Sequence, residues 1–199
     1  MKKPNSFFVL TVLFWAVIGS VLATFTRSEI QLAFNKVHFP LGNTLVPYLT
    51  HLGDGAIFAF GIIFLWIRFR DFFAILFTAL YTLISTAVLK QIVFSGAPRP
   101  AKYFPEGSLE FVDGVKMHMI NSFPSGHTTA AFAFYGILAL LVSKKHEWLR
   151  IPLFIIAIAV GFSRVYLNQH FLIDVWAGMA LGLVISYLGA LTAEQIKTK

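Results

Sequence analysis

Three short sets of polar residues, separated by long apolar runs, carry the groups in this chain that could do chemistry. The last set runs from Ser163 to Asp174 and contains Arg164 and His170. On a helix, His170 and Asp174 are one turn apart and share a face, so the carboxylate can accept a proton from one imidazole nitrogen. The other nitrogen is then free to attack a substrate or to move a proton. A salt-bridged helix cap at a membrane edge is the alternative interpretation of this stretch.

The second set is Pro124-Ser125-Gly126-His127, which opens an apolar run. We expect Ser122 to cap the helix, with Pro124 in its first turn. The unpaired N–H groups at a helix start form a seat for an anion, and Gly126 allows close approach to the backbone. Ser125 adds a hydroxyl and His127 an imidazole, which is suited to act as a general acid once an anion is bound. A helix start without function is the alternative.

The first set is a basic pair, Lys90 and Arg99. Lys90 ends a long apolar run, where an ammonium group needs an anion, water or a route to the interface. Pro98 and Pro100 restrict the backbone around Arg99 and hold its guanidinium at a set place on a loop. The planar guanidinium suits phosphate or carboxylate oxygens. Such a pair is typical of a phosphate pocket.

The composition is that of a membrane protein, with 57% apolar residues and 22 Phe in 199 residues, and a mean hydropathy of +0.75. Apolar runs of about the length that crosses a bilayer are typical of transmembrane helices. We predict an all-α, polytopic membrane protein with one domain over residues 1–199. Its six predicted transmembrane helices lie at roughly 7–25, 55–67, 72–94, 126–143, 151–167 and 173–191.

The basic residues predict how these helices are oriented. With a cytoplasmic N-terminus, nine Lys and Arg residues lie in cytoplasmic segments and seven in outer segments. Three of the outer seven are Lys90, Arg99 and Arg164, which we assign to chemistry, and the remaining four leave a usable positive-inside bias. We therefore predict that both termini are cytoplasmic and that all three polar sets face the outside of a bacterial-type plasma membrane. The net charge of +7 then reflects lipid topology and not nucleic-acid binding.

Two further segments are predicted to lie at the outer interface. Residues 26–52 are too polar and too broken by Pro and Gly to span, and they suit short amphipathic helices, with Ser28 as a plausible N-cap, or a plain loop. Residues 95–121 form the longest polar stretch, a candidate lid or headgroup reader, or a solvated connector. His51, at the start of the second predicted span, is interpreted as interfacial or as support for the site. Gly178 and Gly182 permit close helix packing, within the bundle or between subunits.

Together these motifs resemble the type 2 phosphatidic acid phosphatase family, whose members are membrane phosphatases related to vanadium haloperoxidases. The family pattern has Lys followed by Arg-Pro, then Pro-Ser-Gly-His, then Ser-Arg, five residues, His, three residues and Asp. Here the second and third sets are complete, while eight residues separate Lys90 from Arg99, two more than is usual in the family. The resemblance covers roughly residues 50–190.

The resemblance implies a role for each position. It implies that His170 is a nucleophile that forms a phosphohistidine, that Asp174 orients it, and that His127 protonates the leaving oxygen. It implies a phosphate-binding set made of Lys90, Arg99, Ser125, Gly126 and Arg164. The physics agrees, because cations and a helix start stabilise the charge that develops in phosphoryl transfer. Expected substrates are undecaprenyl diphosphate, phosphatidylglycerol phosphate, phosphatidic acid or lipid A.

No cofactor is expected. The sequence has no Cys, and no carboxylate cluster able to hold Mg²⁺ or Zn²⁺ accompanies the motifs, so we expect metal-independent hydrolysis. The alternatives from other classes are an anion transporter or channel and a vanadate-dependent oxidase like the haloperoxidases. Polar residues gathered at one face, with none near the midplane of a span, argue against transport. The expected partners are a lipid phosphate and the membrane, and the sequence does not indicate an oligomeric state.

Overall fold

The chain folds into helices, which the computed structural model describes for residues 5–62 and 68–197. Within these residues there is no β-strand. Short 3₁₀ helices (Thr50–Gly53, Gly55–Ile62 and Lys144–Leu149) and one π-helical turn (Leu89–Val93) join or extend the α-helices. The α-helices are α1 (Ser6–Thr24), α2 (Arg27–Asn35), α3 (Pro40–Leu49), α4 (Phe69–Val88), α5 (Pro100–Tyr103), α6 (Gly126–Leu141), α7 (Arg150–Tyr166) and α8 (Leu172–Lys197).

The prediction of an all-helical membrane protein is confirmed, but six spans are not. Helical segments long and apolar enough to cross a bilayer are Ser6–Thr24, Asp71–Val93, Lys144–Tyr166 and Leu172–Ile196. The fourth predicted span, 126–143, corresponds to α6, which is shorter at 16 residues. Of the second predicted span, 55–67, the part Gly55–Ile62 is a 3₁₀ helix, and residues 63–67 lie outside the described residues. Six spans therefore stay a prediction.

Helix α6 is the centre of the bundle. It packs against α8, α7 and α4, and its residues from Thr128 to Ile137 are all buried. Burial on every side explains why this helix has no polar face. The first turn of α6, which carries part of the second polar set, is thereby held in place by three other helices.

Gly178 and Gly182 bring α8 onto α6. A Cβ atom at Gly178 would lie 2.9 Å from the carbonyl oxygen of Ser125, and one at Gly182 would lie 2.6 Å from Cβ of Phe132. Carbon atoms do not approach so closely, so only glycine allows this helix spacing. The small residues thus pack within the bundle, which answers the question that the sequence left open.

Residues 26–52 form helices at the end of the bundle that carries the polar sets. Thr26, and not the predicted Ser28, caps α2, because its hydroxyl accepts from the N–H of Glu29 at 3.3 Å. The Glu29 carboxylate accepts from the N–H of Thr26 at 2.8 Å, which completes a capping box. The predicted short helices are therefore present, and their position on the outer side of a membrane stays a prediction.

The long polar stretch, residues 95–121, is largely exposed but is anchored to the bundle at several points. Asn35 of α2 exchanges two hydrogen bonds with the backbone of Glu110, at 2.7 and 2.9 Å. Leu109 and Val112 are buried. The side chain of Asn168 also donates to the carbonyl of Glu110 at 2.8 Å. These contacts tie α2, the loop and the segment before α8 into one unit.

Candidate active site

The three polar sets meet at one end of the bundle. The backbone N–H of Ser125, which precedes α6, donates to the carbonyl of Asp174 in the first turn of α8 at 3.0 Å. Arg99 lies beside His170, with 3.4 Å between its Nη1 and Nε2 of the imidazole. Lys90 reaches the loop before α6 through the carbonyl of Asn121 at 3.2 Å. Residues 84 positions apart in sequence, from Lys90 to Asp174, therefore share one site.

His170 lies just before α8 and not on a helix, which corrects the expectation of a helical pair. Helix α8 begins at Leu172, and Asp174 lies in its first turn. The carboxylate of Asp174 caps this turn, accepting from the N–H of Phe171 at 3.0 Å. The pairing survives, because Nδ1 of His170 lies 3.2 Å from the same carboxylate oxygen. The four-residue spacing was a sound indication of contact, although the geometry is that of a helix cap.

The contacts of the His170 ring define its tautomer. A guanidinium only donates hydrogen bonds, so Nε2 of His170, facing Arg99, is the acceptor and carries no proton. The ring proton is then on Nδ1, where it faces the Asp174 carboxylate. Nε2 has a free lone pair, and it lies next to a cation that can hold an anion. This is the arrangement that a nitrogen nucleophile needs.

His170 is held in its neutral form. Burial lowers the pKa of this imidazole well below 6.5, and the positive charges of Arg99, Arg164, Lys90 and His127 lower it further. The ring is 1% exposed. A neutral imidazole keeps its lone pair near pH 7, which the predicted role of His170 as a nucleophile requires.

Ser122 is a site residue that sequence reasoning assigned wrongly. The predicted helix cap is instead Ser125, whose hydroxyl accepts from the N–H of Thr128. The hydroxyl of Ser122 donates to the Asp174 carboxylate at 2.5 Å and lies 3.4 Å from Nδ1 of His170. It thus helps to fix the carboxylate that orients the imidazole. No spacing in the sequence indicates this, because the two partners are 52 residues apart.

Lys90 and Arg99 converge on one carbonyl despite their unusual separation. Nζ of Lys90 lies 3.2 Å and Nη2 of Arg99 lies 3.4 Å from the backbone oxygen of Asn121. Lys90 sits in the π-helical turn Leu89–Val93, and a glycine turn with φ of +79° at Gly96 follows. A π-helical turn accommodates extra residues within a helix. With eight residues between them, Lys90 and Arg99 still reach the same carbonyl.

The start of α6 presents its backbone to Lys90. A Cβ atom at Gly126 would lie 3.8 Å from Nζ of Lys90, an ordinary contact distance, so the ammonium group lies next to the helix start. The hydroxyl of Ser125 is buried and also accepts from the Thr128 hydroxyl at 2.8 Å. The structure therefore gives Ser125 a role as helix cap, and its contact with a phosphate stays a prediction.

His127 and Arg164 line one cavity of ≈ 270 Å³. Nη1 of Arg164 donates to the hydroxyl of Thr50 at 2.6 Å. Its Nε is buried and has no hydrogen-bond partner among residues 5–62 and 68–197. An unpaired buried donor is costly, which is explained if a bound ligand accepts from it. Thr50 is a second contact residue that the sequence did not indicate, although its neighbour His51 was singled out.

Two further groups support Arg99 and the cavity. Nη1 of Arg99 donates to the backbone oxygen of Gln169 at 3.0 Å, and its Nε donates to the carbonyl of Ile120 at 2.9 Å. Burial lowers the pKa of Arg99, but the guanidinium remains charged because its ordinary value is so high. Among the described residues, no group of three or more His, Cys, Asp and Glu is placed to hold a metal ion.

Comparison with known proteins agrees with the motifs. The model of the PAP2 superfamily matches residues 71–196. Phosphatidylglycerophosphatase B of Bacillus subtilis (strain 168) is 28% identical over 211 residues, which cover 99% of this chain and 98% of that protein. A lipid A 1-phosphatase of Rhizobium johnstonii is 32% identical over 126 residues, which cover 63% of this chain and 48% of that protein.

Solved structures show the same fold. The crystal structure of the PAP2-type phosphatidylglycerolphosphate phosphatase from Bacillus subtilis superposes with a TM-score of 0.64 at 28% identity, covering 94% of this chain and 96% of that one. The Aquifex aeolicus LpxE structure gives a TM-score of 0.70 at 23% identity, over 81% of this chain and 93% of that one. The helical bundle described above is therefore a fold seen in experimental structures of both proteins.

Proposed function

Because this chain belongs to the PAP2 superfamily, we propose that it hydrolyses the phosphate or diphosphate group of a membrane lipid through a phosphohistidine on His170. Its relatives are named as phosphatases of lipids, and the chain is a membrane phosphoester hydrolase. The observation that carries the proposed mechanism is the His170 ring. Its Nδ1 is held by Asp174 and its Nε2 faces Arg99 without a proton.

The proposed reaction has two steps. In the first, the lone pair on Nε2 of His170 attacks phosphorus, the bond from phosphorus to the lipid oxygen breaks, and His127 gives a proton to that oxygen. In the second, water attacks the phosphohistidine, His127 takes back a proton, and the nitrogen–phosphorus bond breaks to release phosphate. In both steps the proton stays on Nδ1 of His170, and the Asp174 carboxylate accepts a hydrogen bond from it.

Charge at the site supports phosphoryl transfer. The charge of the transition state spreads over the equatorial phosphoryl oxygens. Arg99 lies beside the attacking nitrogen, and the charges of Lys90 and Arg164 also act on the His170 ring. The Nε of Arg164 offers a donor that no group in the described part of the chain uses. We assign Ser125 and Gly126 to the same phosphate, through a hydroxyl and an open helix start.

An apolar cavity supports a lipid substrate. It measures ≈ 390 Å³, runs between the 3₁₀ helix Gly55–Ile62 and α4, and is lined largely by apolar or small residues such as Phe58, Leu80 and Leu83. It reaches Gly126 and His127. A hydrocarbon chain in this cavity would bring its polar head to the general acid.

The site is proposed to face the periplasm, with both termini in the cytoplasm, as the distribution of Lys and Arg predicts. We also propose that the reaction needs no metal ion. The donors around the phosphate are cations and backbone groups, which repel and do not bind a divalent ion. Activity that disappears on treatment with EDTA and returns with Mg²⁺ or Zn²⁺ would contradict this part of the proposal.

The direct test is release of inorganic phosphate by the purified full chain in detergent. The panel contains undecaprenyl diphosphate, phosphatidylglycerol phosphate, phosphatidic acid and lipid A, with His170→Ala as the control. We expect release from at least one lipid and a loss of about three orders of magnitude or more in His170→Ala. Equal release by both proteins would show that His170 is not the nucleophile.

A further inference from the structure

The cavity of ≈ 270 Å³ that His127 and Arg164 line continues to a second group of basic side chains. These are His51 from the 3₁₀ helix Thr50–Gly53, and Lys116 and His118 from the loop before α6. We call these three residues the outer basic group. All three side chains are exposed, so they can receive a ligand from solvent or from the membrane surface.

The site contains more basic side chains than one phosphoryl group requires, once the outer basic group is included. Arg99 contacts Nε2 of His170, and the charges of Lys90 and Arg164 also act on this ring, so the three cations can neutralise a phosphate dianion. No Asp or Glu is among the described residues that line the cavity. The Asp54 carboxylate acts on Arg164 and His127 without lining the cavity. A cavity lined by Lys116, Arg164 and several imidazoles still favours an extended or doubly charged anion.

The outer basic group is connected to the reacting site. Nε2 of Gln169 donates to the carbonyl of Lys116 at 3.1 Å, and Oε1 of Gln169 accepts from Nη1 of Arg99 at 3.3 Å. Gln169 is 2% exposed, so it is a fixed link and not a mobile surface contact. The backbone of Lys116 is therefore fixed relative to Arg99, and its side chain extends from this fixed point beside the cavity.

The electrostatic surroundings of His118 agree with a position between Lys116 and the cations of the reacting site. Partial burial lowers the pKa of His118, and the positive charges of Arg99, Lys116, Arg164 and Lys90 lower it further. His118 therefore lies near Lys116 and near the inner cations, by which we mean Lys90, Arg99 and Arg164. In its neutral form it can still donate a ring N–H to an anion. An anion bound between them would be attracted from both sides.

We propose that the outer basic group binds a second phosphate of the substrate, next to the phosphoryl group that reacts. This inference rests on the proposed function and adds the substrate class to it. The preferred substrate is a lipid with two neighbouring phosphates, and a lipid with a single phosphomonoester is a poorer one. The second phosphate belongs either to a diphosphate or to a phosphodiester one glycerol away, and Lys116 and His118 receive it in both cases.

The test uses the double variant Lys116→Gln/His118→Gln of the full chain in detergent micelles. Both side chains are exposed, so the fold is retained. Lys102→Gln is the matched control, because Lys102 is exposed on the same loop and does not line the cavity. The substrates are farnesyl diphosphate, phosphatidylglycerol phosphate and phosphatidic acid, and the quantity measured is kcat/KM for each.

We expect the double variant to lose tenfold or more in kcat/KM for at least one of the two-phosphate substrates, which is the scale of a lost charge-assisted contact. For phosphatidic acid we expect a loss of less than twofold. A loss confined to farnesyl diphosphate identifies a diphosphate, and a loss confined to phosphatidylglycerol phosphate identifies the phosphodiester. Lys102→Gln should leave the selectivity unchanged. An equal loss for all three substrates, or no loss, overturns the second-phosphate site and leaves the proposed function standing.

A second measurement does not depend on lipid delivery. Inorganic diphosphate spans the inner cations and the outer basic group, whereas orthophosphate occupies one of them. Diphosphate should inhibit the wild type at a concentration about tenfold lower than orthophosphate does, and this advantage should vanish in the double variant. Equal inhibition by both anions in the wild type contradicts the proposal. A wild type that releases phosphate from none of the lipids contradicts the proposed function as well.

Discussion

Nη1 of Arg99 lies 3.4 Å from Nε2 of His170, so a cation stands directly beside the nitrogen that is proposed to attack phosphorus. The same guanidinium is fixed from behind by the carbonyls of Ile120 and Gln169. Arg99 thus has two effects. It keeps Nε2 free of a proton, and it provides a charge for the oxygens of the phosphoryl group that His170 receives.

The protonation of His170 should follow from its surroundings. Its pKa is lowered first by burial and then by Arg99 and the other cations, so the neutral form persists as the pH falls through 6.5 and is lost only below it. Histidine NMR of ¹³C-labelled protein, with His170→Gln to assign the signal, measures this titration. Arg99→Met should move the midpoint upwards, because a neighbouring positive charge is removed. A midpoint at or above 6.5 in the wild type would contradict the assignment.

Ser122→Ala should slow the reaction without weakening substrate binding. The variant removes the hydroxyl that donates to Asp174, while the N–H of Phe171 still holds the carboxylate. We expect kcat to fall about tenfold, the scale of one hydrogen bond to a charged group, and KM to change less than twofold. Ser143→Ala, at the opposite end of α6, is the matched control and should leave both constants unchanged. A rise in KM with unchanged kcat would assign Ser122 to substrate binding instead.

Gly182→Ala should destabilise the bundle. The new methyl group would lie 2.6 Å from Cβ of Phe132 and 2.7 Å from the carbonyl of Thr129, so α8 must move away from α6 at a cost of about 1–3 kcal/mol. The thermal unfolding midpoint in detergent measures this. Gly55→Ala is the control, since a Cβ atom there meets nothing within 4 Å. Equal midpoints for the two variants would show that α6 and α8 do not pack as closely as described.

The sequence predicted which of the site residues meet better than it predicted the local geometry that brings them together. Spacing placed His170 and Asp174 in contact, since four residues bring two side chains together in a helix and also in a helix cap. The meeting of Arg99 with His170 followed from counting spans, because alternate spans return the chain to one face. The pair Ser122 and Asp174 was not predictable, because it depends on how α6 and α8 pack, and that packing is set by Gly178 and Gly182.

The second predicted span shows a different limit. Residues 55–67 are apolar enough to suggest a membrane helix, yet Gly55–Ile62 is a 3₁₀ helix. At Gly61 a Cβ atom would lie 2.5 Å from a side-chain carbon of Ile75, so this segment approaches α4 through glycine. Hydropathy reports that a segment is buried in an apolar setting, and it does not distinguish helix types. The loop of residues 95–121 is a similar case. Asn35 anchors it from 75 residues away in the sequence, so the loop's own residues do not indicate this contact.

The most direct test of the account is to trap the phosphohistidine. The full chain is mixed with a ³²P-labelled lipid phosphate or diphosphate that it hydrolyses, quenched within milliseconds in alkali and digested, and the labelled peptide is identified by mass spectrometry. We predict an alkali-stable, acid-labile label on His170 that is absent from His170→Ala and that chases into inorganic phosphate. A label on any other residue, or rapid hydrolysis with no labelled protein at any time, would contradict the central claim.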